Sequence, residues 1–319
     1  MGQPRLRVVV LGSAAGGGVP QWNCRCMVCE QVRRSPEGGT GPDAPAPRTQ
    51  LGLAVSADGE RWVLLGASPD LREQLLRTPA LWPSTSPRHS PIAAVVLTGA
   101  DVDHVAGLLV LREGHPFALH APPRVHEALR GSRIFDVLPE GRVPRRTLPL
   151  NEPSSVTDAT GSPTGIRVEA FAVPGKVPLY LERPDEAPPV DETGHAIGLR
   201  VGRDDGAAHF HFVASCAALS DSLARRLRGA PLVLFDGTLF RDDELRAQGV
   251  GHKTGRRMGH MSMSGPDGSM RQLAPLGIRR KVFVHVNNTN PALPPGSSAR
   301  REIESAGWEV AFDGMALDL

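Results

Sequence analysis

Ile92-Ala-Ala-Val-Val-Leu97, followed at once by Thr98-Gly-Ala-Asp101-Val-Asp103-His104, sets the architecture expected of the chain. A short, β-branched apolar run bounded by a Pro/Ser stretch and a glycine turn reads as a buried strand. Its end carries two carboxylates and an imidazole, and a helix over 105–113 is expected to follow. In layered α/β folds, strand ends are where side chains from distant parts of the chain converge on a ligand. This stretch therefore reads as half of a metal site. A plainer account stands beside it, since Asp101 or Asp103 could simply cap the following helix.

Two further apolar strands end in the same manner. Leu234-Phe-Asp236-Gly-Thr238 closes on a carboxylate and a sharp turn, and Val284-His285-Val286-Asn287-Asn288 holds an imidazole among valines. Singly, Asp236 could cap a turn and His285 could be a satisfied core histidine. Together, Asp103, His104, Asp236 and His285 offer two imidazoles and two carboxylates, suited to one divalent transition metal with positions left open. The Gly- and Ser-rich segment 256–265 adds His260, whose near-neutral titration suits acid or base work, or which is an ordinary loop histidine. His252, His195 and Lys176 are further pocket candidates. His209 and His211, alternating with Phe210 and Phe212, read as the polar face of an exposed strand.

Cys24-Arg-Cys26-Met-Val-Cys29 is a separate constellation, placing three of the four cysteines within six residues. Clustered thiolates suit one tetrahedral Zn2+ better than a disulfide framework. The alternative is three unrelated thiols. Three sulfur ligands leave little room for a reactant, so this metal is expected to staple the loop at 24–29. Its fourth ligand is open among Cys216, a nearby Asp and Asn288.

The remaining pattern interleaves strands and helices. A strand at 6–11 feeds the glycine loop, and 49–56 with 61–66 read as a hairpin. Helices are expected at about 69–79, 218–227 and 298–306. Strands are expected at 117–120, 166–173, 178–182, 196–201, 209–214, 231–235, 281–286 and 308–312, with a polar loop at 151–165 and a flexible Pro/Gly-rich loop at 36–48. Such alternation with hairpins points to an α/β chain with two sheets sandwiched by helices. The 319 residues, 40% hydrophobic and 22% charged, are read as one domain over 1–319 with a sizeable core. A net charge of +2 without long like-charge blocks gives no nucleic-acid footprint, and no apolar stretch is long enough for a signal or membrane segment. A cytoplasmic protein with no membrane insertion is the expectation.

Through these residues and the segments around them, the sequence resembles the PqqB family of the metallo-β-lactamase superfamily. LGSAAGGGVPQWNCRCMVC, LTGADVDHVAGLLVLREG, FDGTLFRDDEL, GVGHKTGRRMGHMSMSGPDGS, HVNNTNP and AGWEVAFDGM carry the likeness through nearly the whole chain. The resemblance implies the αββα sandwich with mixed sheets. It also implies a role in pyrroloquinoline quinone (PQQ) biosynthesis.

Hydrolases of that superfamily carry His-x-His-x-Asp-His after this strand. Here Gly99 and Asp101 stand at the leading histidines, only Asp103 and His104 match, and Lys176 replaces a Pro-Gly-His histidine. The ligands of one metal position are largely missing, and those of the second remain. A two-metal hydrolytic clamp is therefore not expected. The resemblance instead implies Fe(II), with Zn2+ possible as isolated, and O2-dependent hydroxylation of the tyrosine ring of a small peptide-derived precursor. His260 and Asp101 would then be the catalytic residues beside the metal. The other function associated with such proteins is carriage of PQQ or its precursor toward the periplasm, with Lys176, Arg256 and Arg257 gripping an anionic ligand. Other PQQ biosynthesis proteins are the expected partners, and a hydrolase rests on fold alone.

Overall fold

The computed structural model describes residues 5–34, 44–182 and 194–319. In chain order the strands are β1 (Arg7–Gly12), β2 (Gly52–Ser56), β3 (Trp62–Leu65), β4 (Ile92–Val96), β5 (Ala118–Ala121), β6 (Arg145–Thr147) and β7 (Pro153–Thr157), then β8 (Pro163–Ala172), β9 (Ile197–Arg203), β10 (His209–Val213), β11 (Val233–Asp236), β12 (Lys281–Val284), β13 (Glu309–Val310) and β14 (Ala316–Asp318). Between them lie α1 (Met27–Arg34), α2 (Leu71–Arg77), α3 (Val102–Val105), α4 (Pro123–Arg130), α5 (Asp221–Leu227), α6 (Glu244–Ala247), α7 (Gly255–Met258), α8 (Ser269–Leu273) and α9 (Ser298–Ser305).

The strands form two mixed sheets, ordered β14-β1-β2-β3-β4-β5-β6 and β13-β12-β11-β10-β9-β8-β7. β3 through β6 run parallel in the first, and β10 through β13 in the second. Side-chain alternation along each strand explains the layering. On β4, Ala94 and Val96 face the core between the sheets, while Val95, and Leu97 just beyond the strand, face the helices outside the first sheet. On β11 and β12, Leu234, Val282 and Val284 enter the same inter-sheet core. Phe235 and Phe283 point outward under α5 and α9, where Phe283 stacks on Trp308 at 4.0 Å between ring centroids. The result is the metallo-β-lactamase αββα sandwich, with the parallel strand ends of both sheets meeting along one seam.

Several elements differ from the expectation. Residues 178–182 form no strand: Leu179–Leu181 is a single tight turn, all three side chains being substantially exposed. Pro178 has no N–H to give to a ladder. The helix after β4 begins at Val102 and tightens to 3₁₀ geometry over Ala106–Arg112, because Gly107 lies against the backbone of Ala67 and Ser68. A Cβ there would fall 2.1 Å from the Ser68 carbonyl oxygen. The polar loop at 151–165 contains β7, a strand too hydrophilic to show. His211 is buried, not on an exposed face. β10 is an inner strand covered on both sides, with Phe210 and Phe212 in the inter-sheet core and His211 against Phe171. Burial, then His209 and the Arg200 and Arg226 guanidiniums, push its pKa down to about 3. Of the loop at 36–48, residues 36–43 lie outside the described residues, and Arg48 at its end is buried beside Ser13 and Ala311. Among the described residues, no helix is long and apolar enough to cross a membrane.

Candidate metal centre

Asp101, Asp103, His104, Asp236 and His285 sit at or just past the end of a strand, whereas His260 follows α7. β4 runs into the Thr98–Asp101 turn, and α3 then presents Asp103 and His104. β11 ends on Asp236, and β12 is followed directly by His285. Asp101 opens α3, yet its side chain makes no capping bond, so the plainer capping account fails for it. Asp103 turns instead toward His285, whose Nε2 lies 3.1 Å from Asp103 Oδ2; His104 Nε2 lies 4.0 Å from the same oxygen. Potential ligand atoms of Asp103, His104 and His285 all fall within 4.8 Å of one another. Burial would raise the Asp103 carboxyl, but His104 and the His285 hydrogen bond outweigh it and hold the group well below the usual carboxylate range. His285 has a left-handed backbone, φ 58°, unusual for a residue with a side chain.

The expected four-ligand set divides. Asp236 is fully buried, and its two oxygens already accept four hydrogen bonds. Oδ1 takes the Thr238 N–H (3.0 Å) and hydroxyl (2.7 Å). Oδ2 takes the Cys216 N–H (2.9 Å) and lies 2.7 Å from His260 Nδ1. Asp236 groups with His260 and His285, not with Asp103 and His104. Burial would lower the His260 pKa, but the Asp236 charge and hydrogen bond win and raise it. The His260 ring stacks on His285, 5.3 Å between centroids.

Asp103, His104, His260 and His285 lie around a cavity of about 660 Å³, lined also by Asp101, Lys176, His195 and the glycine loop at Ala15 and Gly16. Lys176 is paired with Glu182 at 2.6 Å, and Arg257 reaches the same carboxylate at 3.5 Å. Arg256 and Arg257 lie on a neighbouring groove, so neither lines this cavity as a ligand-gripping residue would. α7 turns them outward: Arg256 faces solvent near Asp267. His252 does not line it either, whereas Arg25 and Lys253 do, and the sequence offered no sign of them. Thr98 and Thr238 were also missed. Each places its hydroxyl on the Nδ1 of a histidine, at 3.2 Å for His104 and 2.8 Å for His285. Asp-x-Thr at the end of a strand was the one available signal.

The sulfur atoms of Cys24, Cys26 and Cys29 also fall within 4.8 Å of one another. Of the fourth-ligand candidates, Asn288 meets the cluster: its amide lies 3.3 Å from Cys29 Sγ and 3.7 Å from Cys26 Sγ. Cys216 packs instead against the Ala218 carbonyl. The hydrogen bond from Cys26, together with the Gln21 N–H and Asn288, outweighs burial and draws the Cys29 thiol down to about 7, while Cys26 is pushed up. A cluster that holds one proton poorly and packs three soft sulfurs together has the donor chemistry of a zinc site.

Comparison with known proteins agrees with this fold. Residues 61–286 match the Beta-lactamase superfamily domain. The chain is 50% identical over 316 residues to coenzyme PQQ synthesis protein B of Methylobacterium nodulans, covering 98% of this chain and all of that one. It superposes on the crystal structure of Zn2+-bound PqqB from Methylobacterium extorquens with a TM-score of 0.91 at 47% identity, over 98% of this chain and 100% of that one. A diphosphatase of the PhnP family is similar in fold, with a TM-score of 0.65 at 22% identity, over 99% of this chain and 97% of that one. This chain belongs to the coenzyme PQQ synthesis protein B family of the β-lactamase superfamily.

Proposed function

We propose that the chain acts in PQQ biosynthesis as an iron-dependent hydroxylase of the tyrosine ring in a peptide-derived precursor. The observation that carries this reading is the convergence of one carboxylate and two imidazoles, Asp103, His104 and His285, beside a cavity large enough for a tyrosine side chain. Two histidines and a carboxylate with open positions are the donor set of oxygen-activating non-haem iron. Bound there, Fe(II) would supply O2 activation. Asp236 as it stands anchors His260 and does not join the ligands. His260 and Asp101 line the same cavity, where they would hold or move the proton of a phenol. Arg25 and Lys253 would orient an anionic peptide terminus or side chain. Cys24, Cys26 and Cys29 would hold a separate zinc that fastens the loop before α1.

The test joins metal content to turnover. The chain is prepared anaerobically, reconstituted with Fe(II), and given O2, a tyrosine-containing peptide and ascorbate, which supplies the two electrons that reduce the second oxygen atom to water. Mass spectrometry should find a gain of one oxygen that requires iron. His104→Ala should lose iron and product but keep zinc, and Cys26→Ser should lose zinc and thermal stability. Product formed equally by His104→Ala would sink the iron assignment, and unchanged zinc in Cys26→Ser the structural one. Absence of product with tight binding of the quinone would replace the hydroxylase by the carrier reading.

A further inference from the structure

Thr238 stands two residues beyond Asp236, across a turn whose Gly237 leaves no room for a side chain: a Cβ there would fall 2.7 Å from Met263 Cε and 2.8 Å from Phe283 Cβ. The turn brings the buried Thr238 hydroxyl oxygen 2.7 Å from Asp236 Oδ1, 2.8 Å from His285 Nδ1 and 3.1 Å from His260 Nδ1. A hydroxyl has one proton to donate and two lone pairs with which to accept. Asp236 Oδ1 can only accept, so the Thr238 proton goes there. The oxygen is then left to accept, and the hydrogen on the short contact to His285 belongs to Nδ1. By the same counting His260 Nδ1, facing the acceptor-only Asp236 Oδ2 at 2.7 Å, also carries its hydrogen.

A neutral imidazole has one N–H. Fixing it on Nδ1 leaves the Nε2 lone pair of His285 pointing at Asp103 Oδ2, 3.1 Å away. Two acceptors that close together can serve as ligands to one metal ion. We infer that Thr238 is a positioning residue for the metal, relaying the Asp236 carboxylate to His285 so that the ring is held in the Nδ1–H tautomer with Nε2 presented to the ion. The relay explains why Asp236, a strand-end carboxylate among metal ligands, has its oxygens turned away from the Asp103 side. Orienting partners of this kind are commonly worth about 10- to 100-fold in metal affinity. The inference rests on the proposed metal site, not on the reaction carried out there.

Three full-length chains test it: wild type, Thr238→Ser, which keeps the hydroxyl, and Thr238→Val, which keeps the shape without it. With the cysteine cluster filled by zinc beforehand, each is titrated with Co2+ and followed by its visible ligand-field bands. Thr238→Ser should bind within a few-fold of wild type with the same bands. Thr238→Val should bind about 10- to 100-fold more weakly with shifted bands. Equal affinity and spectrum for Thr238→Val overturns the inference. Should Thr238→Val fail to fold, nitrogen-15 shifts of the wild-type histidines decide. With Zn2+ bound, His285 should show a protonated Nδ1 and a metal-bound Nε2, and the reverse assignment overturns it. Wild-type bands that persist in His104→Ala would show that the metal site itself is misassigned, a failure distinct from an unaffected Thr238→Val.

Discussion

His285 combines two demands that rarely meet in one residue, a left-handed backbone and a side chain aimed at a metal. Its φ of 58° costs an L-residue about 1 kcal/mol, and the cost disappears in glycine. Both His285→Gly and His285→Ala should lose the metal site, but in urea titrations the glycine chain should be more stable than the alanine chain by about 1 kcal/mol. Equal midpoints would mean that the backbone relaxes once the ring is gone. At this scale the sequence showed which residues end apolar strands, and Asp103, His104 and His285 do come together. It could not show which way an end residue turns. Whether Asp236 meets Asp103 or His260 depends on the Gly237 turn and on the Thr238 hydroxyl, contacts between segments with no counterpart in spacing. Arg256 and Arg257 failed for a related reason, because α7 starts only after Thr254 and carries them away from the cavity.

Among the elements, α6 places Glu244 where few carboxylates go. It is buried, accepts the Phe240 N–H at 2.7 Å and bonds the Thr289 hydroxyl at 2.5 Å, on the loop that follows His285. Burial dominates these bonds and pushes its pKa up from 4.5 to about 7. The folded chain therefore keeps this proton between pH 4.5 and about 7 while the unfolded chain releases it. Stability from Glu244 is fully present below the lower value and is lost as pH rises through the window, at roughly 1.4 kcal/mol per pH unit as an upper bound. Glu244→Gln cannot ionise, so its melting temperature should gain on wild type by several degrees between pH 5 and pH 8. A constant difference across that range would place the Glu244 pKa elsewhere. The elements most legible in the sequence were strands buried on both faces, such as β4 and β12, whose apolar runs are unbroken. α1, α4, β6 and β14 were not expected. They are short or largely polar and owe their form to what they pack against, which no local pattern encodes.

For the whole molecule, the alternation of strands and helices was enough to anticipate two sheets between helical layers, and the family likeness supplied their connection. What spacing could not supply was the return of the chain to its starting sheet. After β13 in the second sheet, Asp313 takes hydrogen bonds from Ser13 and Thr49, each through backbone N–H and hydroxyl, and β14 then pairs antiparallel with β1. Met315 and Leu317 enter the core between the sheets as they do so. Removing residues 315–319 should bare the β1 edge, lower the melting temperature and cause self-association visible by light scattering. A truncated chain that melts and scatters like the full one would show that β14 is dispensable. The pairing of Val8 with Leu317 also has a bearing on time. β1 is made before every other strand of its sheet and β14 after all of them, so the outer neighbour of β1 comes last. Until then the first sheet waits with an open edge, and a chain released early is left as an aggregation seed rather than a partly working protein.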